Sequence, residues 1–216
     1  MLAALLRMPA GAGTHASALT EHHLGGLPRV ILWAWKRPED LSFIDPHKAG
    51  VAYLARTLYL EGNRVLVRPR LNLLVVPPAA TVIPVARIET ERDAPPTLSS
   101  EQRKETVRAI AELASSGPVE IQIDFDATRS QRRFYRALLN DLRARVPRSI
   151  ALSITALASW CIYDGWIADF PVDEAVPMLF SMGADSEEVA AYLRRGGAFA
   201  PPICRSSMGV AIDEPI

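Results

Sequence analysis

The sequence has few cysteines and histidines, and each scarcity removes a class of chemistry. Two cysteines in 216 residues, Cys161 and Cys204, exclude a disulfide-dense scaffold, and their spacing fits no zinc ligand set. Two buried or idle thiols is the plainer reading, with a single bridge left open. The four histidines are His15, His22, His23 and His47, all in the N-terminal segment or at a predicted helix start. None stands at a strand end, where a zinc triad or a Ser-His-Asp nucleophile would need it. Gly196 and Gly197 close a predicted helix instead of opening one, so no phosphate loop is indicated. A calcium or magnesium ion on Asp124 and Asp126 would lack a recognisable loop. No metal or cofactor is therefore expected. Charge of one sign is also lacking: Lys plus Arg and Asp plus Glu number 24 each, so no global field favours nucleic acid. No apolar run approaches the roughly 20 residues needed to cross a bilayer.

What is present is apolar material in a regular arrangement. With 49% hydrophobic residues over this length, the chain can bury one substantial core. Residues 1–28 read as a leader or disordered segment, although Arg7 interrupts the apolar run and no basic region precedes it. Residues 29–216 read as one domain, with truncation at the C-terminus left open. Within it RVILWAW is a predicted strand, and DPHKAGVAYLARTLYLEGN a predicted helix with Asp45 as cap, Pro46 at its first position and Gly62 at its end. RVLVRPR and VIPVARIE follow as strands, then a helix at SSEQRKETVRAIAELASSG with capping-box spacing of Ser99 and Gln102. VEIQIDFDA is a strand, and SQRRFYRALLNDLRARVP a helix with Phe134, Leu138 and Leu142 on one face. SIALSITA and DEAVPMLFSM are strands, DSEEVAAYLRRGG a helix, and SSMGVAID the last strand.

Alternating strands and helices imply a parallel sheet, open or closed. The segment Val119–Asp126 decides between the two: its apolar residues alternate with Glu120, Gln122, Asp124 and Asp126. Central strands of an open doubly wound sheet are apolar on both faces. A closed barrel lets one face point inward, where polar groups are tolerated near the mouth. The expected fold is therefore α/β, an irregular or incomplete (β/α) TIM-like barrel with seven recognisable strands. The eighth is missing, replaced by the N-terminal segment, or lost at Ile216.

Charged and aromatic residues gather at the carboxyl ends of these strands, where barrel enzymes keep their chemistry. Asp126, Asp124, Glu89 and Asp213 are the candidate catalytic carboxyls, with Asp126 foremost. Trp35 and Trp160 offer flat surfaces for a pyranose, and Arg70 and Arg87 complete the candidate binding set. Two carboxylates in different surroundings can separate an acid from a base, and glycosidases place such a pair roughly 5–9.5 Å apart. Asp173 and Glu174 precede their strand and read as loop residues at the stability end.

Six motifs, VILWAWKRPEDLSFI, LYLEGNRVLVRPR, VARIET, IQIDFDATRSQRRFYRALLNDLR, LSITALASWC and VDEAVPMLFSMG, together resemble the bacterial domain of unknown function 3142 family. The resemblance covers roughly Arg29 to Pro215 and implies a barrel similar to glycoside hydrolases. It also implies export, to the periplasm or beyond, whereas the weak leader by itself reads as cytoplasmic. In the chitinase-like barrels a strand ends in Asp-x-Asp-x-Glu with the glutamate as acid; here Asp124 and Asp126 match, and Thr128 stands where the glutamate would be. Threonine cannot protonate a glycosidic oxygen as a carboxylic acid does. Two functions follow as expectations: a glycoside-hydrolase-like protein acting on a polysaccharide or oligosaccharide, or a barrel that binds carbohydrate or protein without turnover. The sequence is silent on oligomeric state.

Overall fold

A computed structural model describes residues 3–8, 24, 26–183 and 186–211. Its strands are β1 (Ala3–Arg7), β2 (Val30–Ala34), β3 (Glu39–Asp40), β4 (Ala49–Glu61), β5 (Arg64–Pro69), β6 (Leu74–Val75), β7 (Val82–Thr90), β8 (Glu120–Asp124), β9 (Ala151–Leu157), β10 (Glu174–Met178) and β11 (Ser207–Ala211). Eight of them close a ring in the order β2, β1, β11, β10, β9, β8, β7, β4, with β4 pairing back onto β2. All neighbours are parallel except β1, which runs antiparallel to β2 and β11. The chain thus forms the expected α/β barrel. It is irregular in its connections but complete as a ring.

Two expectations about the ring are corrected. The N-terminal segment is not a detached leader along its whole length: Ala3 and Leu5 are fully buried, and β1 supplies the closing strand. The segment expected to be a helix after Asp45 is instead the 13-residue strand β4. A bulge explains the misreading. Against β7 the register slips between Leu54 and Arg56, so Ala55 is an extra residue, and a bulge reverses which side chains face inward. Ala52 belongs to the cluster inside the barrel, whereas Leu58 and Leu60, also even-numbered, belong to the outer one. The result spaces Val51, Leu54, Ala55 and Leu58 as i, i+3, i+4 and i+7, the pattern of a helix face. Gly62 ends no helix; it takes φ +50 in the two-residue turn between the paired residues Glu61 and Arg64 of β4 and β5, a backbone state glycine adopts without steric cost. The strand expected at RVLVRPR exists as β5, but it lies outside the ring as a hairpin partner of β4.

Helices cover part of the barrel. Helix α1 (Ser100–Ala111) begins at Ser99, whose side chain accepts from the Gln102 amide, while the Gln102 side chain accepts from Leu98 N. Helix α2 (Arg132–Arg145) buries Phe134, Leu138 and Leu142, as its period requires. Helix α3 (Ser186–Arg194) follows β10. These helices press Ile110, Leu139 and Val189 onto the outward residues Ile121, Ile123, Leu152 and Ile154 in the larger core. On the other side no helix joins β2 to β4 or β4 to β7. There the β3–β6 pair and a small cluster of Leu41, Ile44 and Val51 take over. Cys161 and Cys204 form a disulfide, with both residues fully buried.

Candidate functional site

The barrel interior is built in layers, and the inward face of β8 contributes one polar residue to each. At the floor Glu120 accepts from Arg7 Nη2 at 3.1 Å and from the hydroxyl of Ser153. Arg7 also bonds Glu174, which accepts from Ser206 Oγ at 2.6 Å. Glu174 is therefore no loop residue but the first residue of β10, with no exposed surface. Burial raises the Glu120 carboxyl to about 7; the charge of Glu174 adds to the rise, and Arg7 and Ser153 oppose it. In the middle layer Gln122 accepts from Trp33 Nε1 at 2.7 Å and donates to Ser153 Oγ at 3.4 Å. The Trp33 ring fills this level because Gly209 faces it: a Cβ there would stand 2.7 Å from the ring.

Asp124 forms the next layer, at the mouth. It is 3% exposed, accepting from Arg87 Nη1 at 2.8 Å and from Thr155 Oγ1 at 2.7 Å. Arg87 Nε reaches Glu89 at 2.8 Å, and Lys36 Nζ reaches the same oxygen at 3.2 Å. Burial pushes the Glu89 carboxyl up, but the bonds from Lys36 and Arg87 outweigh it, and its net shift is downward. Asp126 stands beyond the end of β8, exposed at the rim, and accepts no hydrogen bond from another described residue. Partial burial of its carboxyl raises its proton affinity first and the charge of Asp124 second, against Arg87.

Beside this mouth lies a cleft of about 250 Å³ between the end of β2 and the β4–β5 hairpin. Trp35, Lys36, Leu54, Thr57, Tyr59 and Arg68 are among the residues that line it. The bulge at Ala55 creates it, since only after that extra residue do Thr57 and Tyr59 turn inward. The ladder carries the cleft into the mouth: Arg68 pairs with Thr57, Thr57 with Arg87, and Arg87 with Asp124. Three strand spacings put the ends of that row about 14 Å apart. Trp35 stacks on Trp33 and lies under Arg87, whose guanidinium carbon is 5.8 Å from a ring centroid of Trp35.

The residues singled out from sequence thus divide. Asp124, Asp126, Glu89, Arg87 and Trp35 converge at the mouth. Arg70 lines the cleft, but it spends its donors on backbone: it bonds the carbonyls of Ala34, Trp35, Arg37 and Asn72 and so ties the end of β2 to the hairpin. Trp160 offers no face to a ligand, because it is 4% exposed and packs edge-on against Trp166. Asp213 lies outside the described residues, as do His15, His22 and His23. Thr128 is an N-cap: its side chain accepts from the backbone of Gln131, whose side chain bonds the Thr128 amide in return. Thr57 and Tyr59 were not singled out from sequence because β4 imitates a helix. Their signal was Gly-Asn between two alternating runs, a hairpin mark. Among the described residues, no three His, Cys, Asp or Glu side chains are placed to share a metal ion, and no helix is long and apolar enough to cross a membrane.

No protein-family model matches the sequence, and no curated protein matches it. Several solved structures are similar in trace, two of them as follows. One is the Bacillus cereus spore cortex-lytic enzyme SleL, with a TM-score of 0.47 and 16% identity over 70% of this chain and 42% of that one. The other is the chitinase domain of the spore coat protein CotE from Clostridium difficile, with a TM-score of 0.49 and 12% identity over 83% of this chain and 64% of that one. The chain spans less than two thirds of either. The barrel assignment stands on the strand pairing itself.

Proposed function

We propose that the protein binds a carbohydrate at the mouth of its barrel without cleaving it. The observation that carries this reading is Arg87, which bonds both Asp124 and Glu89. A glycosidase needs two carboxyls, one protonated to give a proton and one ionised to attack or to activate water. Here a guanidinium fills the space between two of the three described mouth carboxyls, and Thr128 is engaged in capping. Trp35 and Tyr59 supply flat apolar surfaces beside polar groups, the combination that receives a sugar ring. Membership of the domain of unknown function 3142 family is part of this proposal, on the motifs quoted above. The Cys161–Cys204 bridge agrees with an exported protein.

One observation favours a second reading, hydrolysis with Asp126 as the acid: its carboxyl is raised and stands exposed beside the cleft. A glycan array followed by product analysis of every hit separates the two. The expected result is retained ligand with no new reducing ends, and similar retention by Asp126→Asn. Product formed by the wild type and lost in that variant would replace the binding reading with the hydrolytic one. Absence of any retained glycan would refute both.

A further inference from the structure

We propose that the carbohydrate taken by the cleft is acidic, carrying a carboxylate or sulfate, and that Arg68 and Lys36 receive its charge while Tyr59 and Trp35 receive its ring. This rests on the carbohydrate reading and names the class of sugar. The first ground is the make-up of the lining: Lys36, Arg68 and Arg70 contribute three cations, and no carboxyl among the described residues lines the cleft. Arg70 is bonded to neutral carbonyls, so its charge is not cancelled there. Lys36 shares Glu89 with Arg87, two cations on one carboxylate. Among the described residues of cleft and mouth, four cations, Lys36, Arg68, Arg70 and Arg87, therefore face the three carboxyls Glu89, Asp124 and Asp126.

The second ground is the state of Arg68. It is exposed, forms no ion pair with another described residue, and rests with its guanidinium 5.0 Å from the Tyr59 ring centroid. A guanidinium held this way keeps its fork of donors for a planar anion. Its place is fixed by the fold, because Arg68 stands opposite Thr57 in the ladder and the Ala55 bulge sets the phase that turns Thr57 and Tyr59 inward. Ring-binding and anion-binding groups thus lie side by side on one hairpin face. A neutral sugar would leave the cationic half of that face unused.

The test measures affinity by calorimetry for three oligosaccharides of matched length: an oligouronide, a sulfated chain and a neutral chain. At least one acidic chain should bind about tenfold more tightly than the neutral one, as a charge-assisted contact allows. The advantage should shrink between about 0.05 M and about 1 M salt, where screening shortens to a few ångströms. Arg68→Gln and Lys36→Gln, both at exposed positions, should abolish the preference while circular dichroism stays unchanged. Equal affinity for all three chains, or an unchanged preference in Arg68→Gln, overturns the acidic assignment and leaves the carbohydrate reading standing. If no chain binds, both fall. The tighter of the two acidic ligands identifies the group received.

Discussion

Raising the pH from about 4.5 to about 8 is expected to weaken the fold through Glu120. In the folded protein its carboxyl titrates near 7, against 4.5 for the ordinary group. Between those values the native state holds a proton that the unfolded chain releases, so stability falls as pH rises and the loss is complete above the folded value. A rise of this size corresponds to about 3 kcal/mol at 1.36 kcal/mol per unit. The groups facing Glu120 are Arg7 from β1, Ser153 from β9 and Glu174 from β10, with Asp173 adding negative charge from just before β10. One guanidinium thus meets two fully buried carboxyls, so a proton on Glu120 removes an uncompensated charge from a dry site. Glu120→Gln copies the protonated shape and cannot ionise. Urea unfolding of both proteins across this pH range gives the test. With a slope of roughly 2–3 kcal/mol per M, the wild-type midpoint should drop about 1 M further than the variant's. Parallel pH dependences, or a steeper fall in the variant, would refute the assignment of the proton to Glu120.

Arg87→Met strands Asp124, which is 3% exposed, without its guanidinium. The expected loss is about 3 kcal/mol, seen as a melting point lower by roughly 6–12 °C; an unchanged melting point would mean that Thr155 alone suffices. Replacing Cys161 and Cys204 together by serine opens a loop of 43 residues. The cross-link model gives about 4 kcal/mol for that loop, read as a lower denaturation midpoint than the oxidised wild type, and equal midpoints would show that the bridge constrains little.

The outer layer of the fold was legible in the sequence, and the inner layer only in part. Helices α1 and α2 and strands β7 to β11 press apolar residues against one another at regular spacing, and periodicity reports that directly. Strand β4 defeated the same logic, because one inserted alanine flips the inward set and gives two strand halves the spacing of a helix. Strand β1 was obscured for a different reason. Its inward Arg7 broke the apolar run, yet that arginine is the partner Glu120 and Glu174 require on the floor of the barrel. A charge that argues against burial in isolation argues for it once its partners, more than a hundred residues away, are known. Trp160 fails as a platform because it is buried: nothing in LASWC reveals that the Trp166 ring packs edge-on against it.

Asp124 and Asp126 show how depth decides role. They are the same residue two positions apart, and the alternation in the sequence gives each the same claim to chemistry. The ladder separates them. Asp124 is level with Arg87 on β7 and accepts from both Arg87 and Thr155, so its oxygens are committed and its removal from water is compensated. Asp126 lies past the last residue of β8, in a tight turn where the Ala127 amide bonds the Phe125 carbonyl at 2.8 Å. There burial raises its proton affinity first and the negative charge of Asp124 second, and Arg87 opposes both. The acidic residues thus begin as a buried framework and end at an exposed rim, and Arg87, bonded to both Asp124 and Glu89, belongs to the framework.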